Sequence, residues 1–341
     1  MKSSSDTEKP TAESHDLPQE RGRGRDAEKP TDLPKQGWLD VLARTKQQLS
    51  EDNLSIVAAG VAFYGFVAVV PAIAVMIAIY GLIANPSQVA EHVTALTNVL
   101  PGEVVPMLTE QMVRIASDST TAGIGAIIGV VIALYSSANA TKALITGMNI
   151  AYGEKERRSF FRLTAVAMGL TLAAIVGVIL AVGLVAILPT ILKQLNIGSG
   201  VGTLLNVLRW PLVVGGFIMA LAVVYRYGPC RDNAKWRWIS PGTLVAGALW
   251  LIGSGLFSLY VSKAGSYDRI YGPLGAIIVF LMWLFLTAFV VLIGAELNSE
   301  LERQTTKDTT EGEPKPMGER EAYSADTVGP SRQKLPEPEK T

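Results

Sequence analysis

The chain has 341 residues, of which 49% are hydrophobic and 18% charged, and its mean hydropathy is positive at +0.31. That is too apolar for an ordinary water-soluble protein of this size. Thirty basic and thirty acidic side chains cancel, which excludes a global field for nucleic acid, and a single cysteine, Cys230, excludes an intramolecular disulfide or a multi-thiolate metal site.

The first 36 residues hold seven Lys/Arg, eight Asp/Glu and four prolines with few large apolar side chains, so residues 1–36 are expected to be a disordered tail. No cleavable leader is expected, because the first apolar run begins only at Ile56 and is too long. Before it, Trp38, Val41, Leu42, Thr45 and Leu49 form a helical stripe. Arg44 and Lys46 beside it would meet anionic head groups, so this piece is expected to lie flat on the inner leaflet.

A span needs about 20 apolar residues. Six segments qualify within a membrane domain of residues 37–302, at about 56–84, 122–141, 163–192, 204–225, 238–262 and 271–295. The fourth has only 16 uncharged residues between Arg209 and Arg226, whose heads can reach the two interfaces. Pro71 lies in mid-span in the first and is a candidate hinge, since proline removes a backbone bond and kinks a helix. Between the first two spans, Val89, Val93, Leu96 and Leu100, then Val105, Leu108, Met112 and Ile115, predict two short amphipathic helices on the outer face. Ser240-Pro241 and Gly272-Pro273 read as helix starts for the last two spans. Residues 303–341 have the composition of the N-terminal tail and the same expectation of disorder. The fold class is therefore an all-α integral membrane protein with six transmembrane helices.

Basic residues near span ends set orientation. With the N-terminus inside, Arg44, Lys46, Lys155, Arg157, Arg158, Arg162, Arg226, Arg231, Lys235 and Arg237 are internal, against Arg114, Lys193, Arg209, Lys263 and Arg269 outside. Both termini are expected in the cytoplasm.

The most polar stretch is the second span and its extension, where Ser136, Asn139, Lys142, Thr146 and Asn149 share one helix face. That face is expected to point inward, either as interhelical hydrogen-bonding or as a substrate path. Glu296 and Asn298 follow the last span, and Glu296 is placed to pair with Lys142 at the same depth. With the fourth window taken as 210–225, none of the six contains a charged residue, which counts against the usual proton-relay carboxylate. Small residues such as Gly125, Gly129, Gly169 and Gly177 suit close helix packing. Two histidines, His15 and His92, make no metal cluster, and no phosphate loop or zinc-protease motif occurs. No cofactor and no enzyme activity are expected.

Several short motifs recur in a recognisable order: Ala58-Ala59-Gly60-Val61-Ala62-Phe63-Tyr64 with Pro71; Leu100-Pro101-Gly102; Asn149-Ile150-Ala151-Tyr152-Gly153; Tyr225-Arg226-Tyr227-Gly228-Pro229; Tyr271-Gly272-Pro273-Leu274-Gly275-Ala276; and Gly294-Ala295-Glu296-Leu297-Asn298. Together they resemble the YihY/BrkB family of bacterial inner-membrane proteins, formerly labelled ribonuclease BN, over roughly Gly37 to Glu302. The resemblance implies a six-helix fold with cytoplasmic ends, and a part in envelope integrity or in export of lipid or envelope precursors. Asp268 stands where that family often has Asn, and Pro273 where Ser is common. Two functions are carried forward: a transporter or lipid/envelope-precursor permease of unknown substrate, and a non-transporting membrane scaffold. Nucleic acid is not an expected partner, because the cytoplasmic loops are too short to form a basic groove. Membrane lipids are, and a homo-oligomer is admitted.

Overall fold

The computed structural model describes residues 22–83, 122–189, 199–263 and 273–335. Among them are eight α-helices and no strand, only an isolated bridge between Ala234 and Thr310. The two predicted outer helices, the connection 264–272 and residues 1–21 and 336–341 lie outside the described residues.

Helix α1 (Lys35–Glu51) leads into α2 (Leu54–Ile83) through Asn53, whose φ of 49° is a left-handed conformation that asparagine tolerates. Then follow α3 (Ala122–Ala151), α4 (Phe160–Val182, continued by a π turn Gly183–Ile187), α5 (Ser199–Tyr227), α6 (Trp236–Lys263), α7 (Pro273–Glu302) and the short α8 (Tyr323–Asp326). Six of these, α2 to α7, are long and apolar enough to cross a membrane, matching the six predicted spans. The fourth is long enough, because α5 starts at Ser199, more than a turn before Leu204. Pro273 does open α7, but α6 begins at Trp236, so Pro241 lies inside the helix rather than at its start. Ser159 caps α4, accepting a hydrogen bond from the Arg162 amide.

Successive spans touch, α2 on α3, α3 on α4, α4 on α5, α5 on α6 and α6 on α7, and α7 closes the circuit onto α2 and α3. Their apolar side chains are largely uncovered, as with Phe161 at 82% exposure and Ile56 at 70%. In water that surface would be untenable; in lipid it is the expected outer face.

The last turns of α7 differ. Every residue from Gly294 to Glu302 is buried, so α7 becomes a central pillar at the end of the bundle where α1 and both flanks lie. The close approach of α6 and α7 depends on glycine: a Cβ on Gly294 would meet Ala246 Cβ and Gly242 O at 2.8 Å and collide with the Tyr225 hydroxyl. Tyr225 donates to Val291 O at 2.8 Å, tying α5 to the same pillar.

The described parts of both flanks correct the expectation of disorder. Residues 22–36 and 303–335 fold onto this end as a polar cap. Arg23 donates to both carboxylate oxygens of Asp40 at 2.8 and 2.6 Å and, with Gln304 Nε2 donating to Arg23 O, pins the N-terminal flank to α1 and to the chain just past α7. The Arg320 guanidinium donates to Ala325 O and Thr306 O, and Lys235 N and Glu311 N pair with Thr309 O and Asn233 O. Charged residues that cannot form an apolar core alone are satisfied by one another and by backbone carbonyls. Arg44 is part of this cap, buried against Glu300, and so does not reach for lipid head groups; Lys46 is exposed. α1 accordingly packs chiefly on α7 instead of lying apart on a leaflet.

Candidate functional site

The stripe on α3 does share a face, but that face points outward. Asn139 and Thr146 are exposed, and Ser136 and Lys142 are half-buried. Thr146 Oγ1 donates back to Lys142 O at 3.0 Å, an intrahelical bond that spares it a partner. The Lys142 ammonium lies over the rings of Tyr135 (4.6 Å) and Phe160 (5.3 Å). No carboxylate of the described residues pairs with it. The interior face of α3 is instead Ser137, Ala138, Ile145 and Met148, with Thr141 Oγ1 2.7 Å from Thr171 Oγ1 on α4. Helical spacing shows which side chains travel together and leaves open which way they point.

Asn149 alone of the stripe turns inward. Its Nδ2 donates to Glu156 Oε2 at 3.0 Å and its Oδ1 accepts from the Cys230 amide at 2.8 Å, so it clips the α3–α4 and α5–α6 connections together. Partial burial pushes the Glu156 carboxyl up, but hydrogen bonds from Arg158 and Asn149 outweigh it and bring it down to about 2. The Arg157 amide donates to Cys230 Sγ at 3.3 Å.

Lys142 and Glu296 do not form the expected ion pair. Glu296 is 1% exposed and its Oε2 has no hydrogen-bond partner. It is a buried carboxylate on α7, which runs on to Glu302 beyond Ala295, where the apolar window ends. Asn298, 200° further round at two residues on, faces α6. Its Oδ1 accepts from Gly242 N at 2.8 Å, which leaves its Nδ2 unpartnered. Pro71 sits half-buried within α2, which runs unbroken from Leu54 to Ile83.

Sequence reasoning missed the ion pairs beneath the cap. Arg231 donates in bidentate fashion to Glu302 at 2.8 and 2.7 Å, its guanidinium 5.1 Å from the Tyr152 ring centre, and Thr309 Oγ1 adds a third bond to Glu302. Burial works against the Arg231 charge, yet Glu302 holds it above its ordinary value. Burial drives the Tyr152 phenol upward, with Glu302 adding to it. Glu300 takes Arg44 and Arg303. For Arg44, burial outweighs Glu300 and lowers it. No amphipathic signal marks these pairs, because partners lie up to 256 positions apart.

Six spans joined in a closed circuit, with an apolar perimeter and charges gathered at one end, define a polytopic α-helical membrane protein. Residues 45–318 match the family of the virulence factor BrkB, and the chain belongs to that family. It is 29% identical over 188 residues to the ribonuclease-like protein YfkH of Bacillus subtilis, covering 52% of this chain and 65% of that protein, just under two thirds of its length. It is 26% identical over 284 residues to a UPF0761 membrane protein of Pseudoalteromonas translucida (80% of this chain, 88% of the relative). A UPF0761 membrane protein of Photobacterium profundum shares 29% over 280 residues (80% and 84%). No solved structure matches the chain.

Proposed function

We propose that the chain is a permease for lipids or envelope precursors in a bacterial inner membrane, with both termini cytoplasmic and the outward face of α3 as its polar route. The observation that carries this reading is Lys142, a cation inside a spanning helix, flanked along one uncovered face by Asn139 and Thr146 and held, among the described residues, by two rings and no carboxylate. Polar side chains toward hydrocarbon are costly unless something polar passes or sits there. An amphiphile whose head slides along such a track keeps its tails in the bilayer throughout. The excess of Lys/Arg on the connections at the flank end supports the cytoplasmic placement of the termini.

The test is flux or flipping of labelled amphiphiles in liposomes, comparing wild type with Asn139→Leu and Lys142→Met. A several-fold loss in both is expected; unchanged flux in both removes the α3 face from any route. The second reading, a non-transporting scaffold, draws on the same uncovered face, which could seat a partner helix or a second copy. Loss of cross-linked assembly in Asn139→Leu with no flux in wild type would favour it. Catalysis is not part of either reading.

A further inference from the structure

The end of α7 carries three buried acids, and they are not treated alike. Glu300 is met by Arg44 and by Arg303 Nη1 at 2.5 Å, and Glu302 by Arg231 and Thr309. Glu296, equally buried, receives no donor on Oε2.

Its surroundings follow from the helix repeat. One turn earlier, Leu292 packs where α2 and α3 meet, its Cδ2 2.9 Å from the point a Cβ on Gly147 would occupy, with Val57 Cγ1 beside it at 3.0 Å. Glu296 continues that face. The buried apolar cluster beside that face includes Leu54 and Ala58 of α2 with Leu292 and Ala295 of α7, and the enclosed Tyr152 phenol, just past α3, is a titratable neighbour. The charged groups around it are Glu300 on its own helix, Asp52 at the α1–α2 turn and Arg303. Two of these three are acids. Arg303 is already committed to Glu300 and lies 5.5 Å from the Tyr323 ring centre, while Arg44 on α1 is spent on Glu300. A second sign of excess negative charge here is Asp52 itself, which burial and then Glu51 and Glu300 push above its ordinary value.

A bare carboxylate with no donor, hemmed in by two acids, is an expensive occupant of this junction, whereas the neutral acid is not. We infer that Glu296 is a proton-binding site, loaded while α7 is wedged between α2 and α3, and that losing the proton loosens this end of α7. The proton leaves Glu296 Oε2–H for water at the flank end, and the carboxylate left behind, already beside Glu300 on its own helix, drives the end of α7 away from Asp52 at the α1–α2 turn. The inference depends on the permease reading only for what the proton would drive, which is then the coupling ion of transport.

The site is testable without transport. Full-length protein in lipid nanodiscs is examined by infrared difference spectroscopy between acidic and alkaline buffers in H₂O and D₂O. A protonated-carboxyl C=O band that shifts on deuteration and vanishes in Glu296→Gln is expected; superimposable spectra for the two proteins overturn the proposal. Glutamine imitates the neutral acid, so Glu296→Gln is expected to melt with wild type at acidic pH and above it at alkaline pH, with the difference widening as pH rises. A variant that melts below wild type at every pH shows a structural role only and overturns it. Exchanging choline for sodium at fixed pH is expected to leave the band in place; its loss would mean that the site takes a metal cation and that the proton assignment is wrong. A protein that passes these tests but moves no amphiphile in liposomes retains the proton site and loses the permease reading.

Discussion

The Arg231–Glu302 pair offers the sharpest check on how the cap is held. Both side chains are nearly sealed from solvent, at 2% and 1% exposure. Removing one partner of such a pair strands the other charge, at a cost of about 3–5 kcal/mol. Glu302→Ala also frees Thr309 Oγ1 and leaves Arg231 with only its 3.1 Å bond to Asp232 O and the Tyr152 ring. Replacing both charges by apolar groups, in Arg231→Met with Glu302→Leu, removes the stranded charge and is expected to recover most of the loss. At typical entropies of unfolding, the single variant should melt on the order of 10 °C below wild type and the double within a few degrees of it.

Cys230 supplies a local readout beside the global one, because it is the sole thiol and sits next to Arg231. In the intact protein it is half-buried, its amide held by Asn149 and its sulfur by the Arg157 amide. Thiol labelling should accelerate in Glu302→Ala and return toward the wild-type rate in the double variant. If Glu302→Ala melts and labels like wild type, or if the double variant loses as much as the sum of the two singles, the pair is not what fastens the C-terminal flank.

Asn149→Leu removes both bonds of the clip between the two connections, which at about 1–3 kcal/mol for stranded buried groups should lower the melting temperature and speed Cys230 labelling. Glu156 is depressed to about 2 in the folded protein from an ordinary 4.5, so its contribution to stability is complete above pH 4.5 and fades as pH falls toward 2; melting curves of Glu156→Gln should lack that acid-side slope. Gly153→Ala meets a double obstacle, a φ of +65° and a Tyr323 ring atom 2.6 Å from where the Cβ would go, so α8 should detach and protease cleavage within 303–335 should increase. Gly294→Ala should cost about 1–3 kcal/mol by forcing α6 from α7, seen as a lowered melting temperature with unchanged helix content by circular dichroism.

The spans were legible because the bilayer imposes one requirement, an uninterrupted apolar helix of sufficient length, and each window shows it directly. Their ends were less so. A count that stops at the first charge closes the last helix at Ala295, yet α7 continues through Glu296, Glu300 and Glu302 because protein, not lipid or water, encloses those turns. The cap was illegible for the same reason. Arg23, Arg320 and Asp308 read as solvated charge in Pro- and Glu-rich stretches, and only pairing with distant groups such as Asp40 of α1 turns that composition into a folded layer. The α3 stripe fell between these cases: its periodicity was sound, but with lipid on one side and protein on the other, polarity alone does not fix the direction it faces.

These misreadings share a cause, which also ties the two candidate sites together. Among the described residues, no carboxylate pairs with Lys142 and no cation with Glu296, one on the perimeter of the spanning helices and one inside the pillar. Had they been paired, as equal depth in the sequence suggested, each charge would cancel the other and neither would be available to a substrate or a proton. Their separation keeps a positive charge facing the bilayer and a proton-holding group where α2, α3 and α7 converge. Because α3 contributes both the Lys142 face and the Gly147 contact with α7, a change in the charge of Glu296 that shifted α7 would act on the same helix that presents Lys142. Lys142→Met should therefore leave the Glu296 infrared band unchanged while lowering flux several-fold, whereas Glu296→Gln should make any flux insensitive to pH without moving Lys142 from its two rings. The opposite pattern, with the Lys142 variant erasing the band, would mean that the two charges do meet in a state of the protein other than the one described.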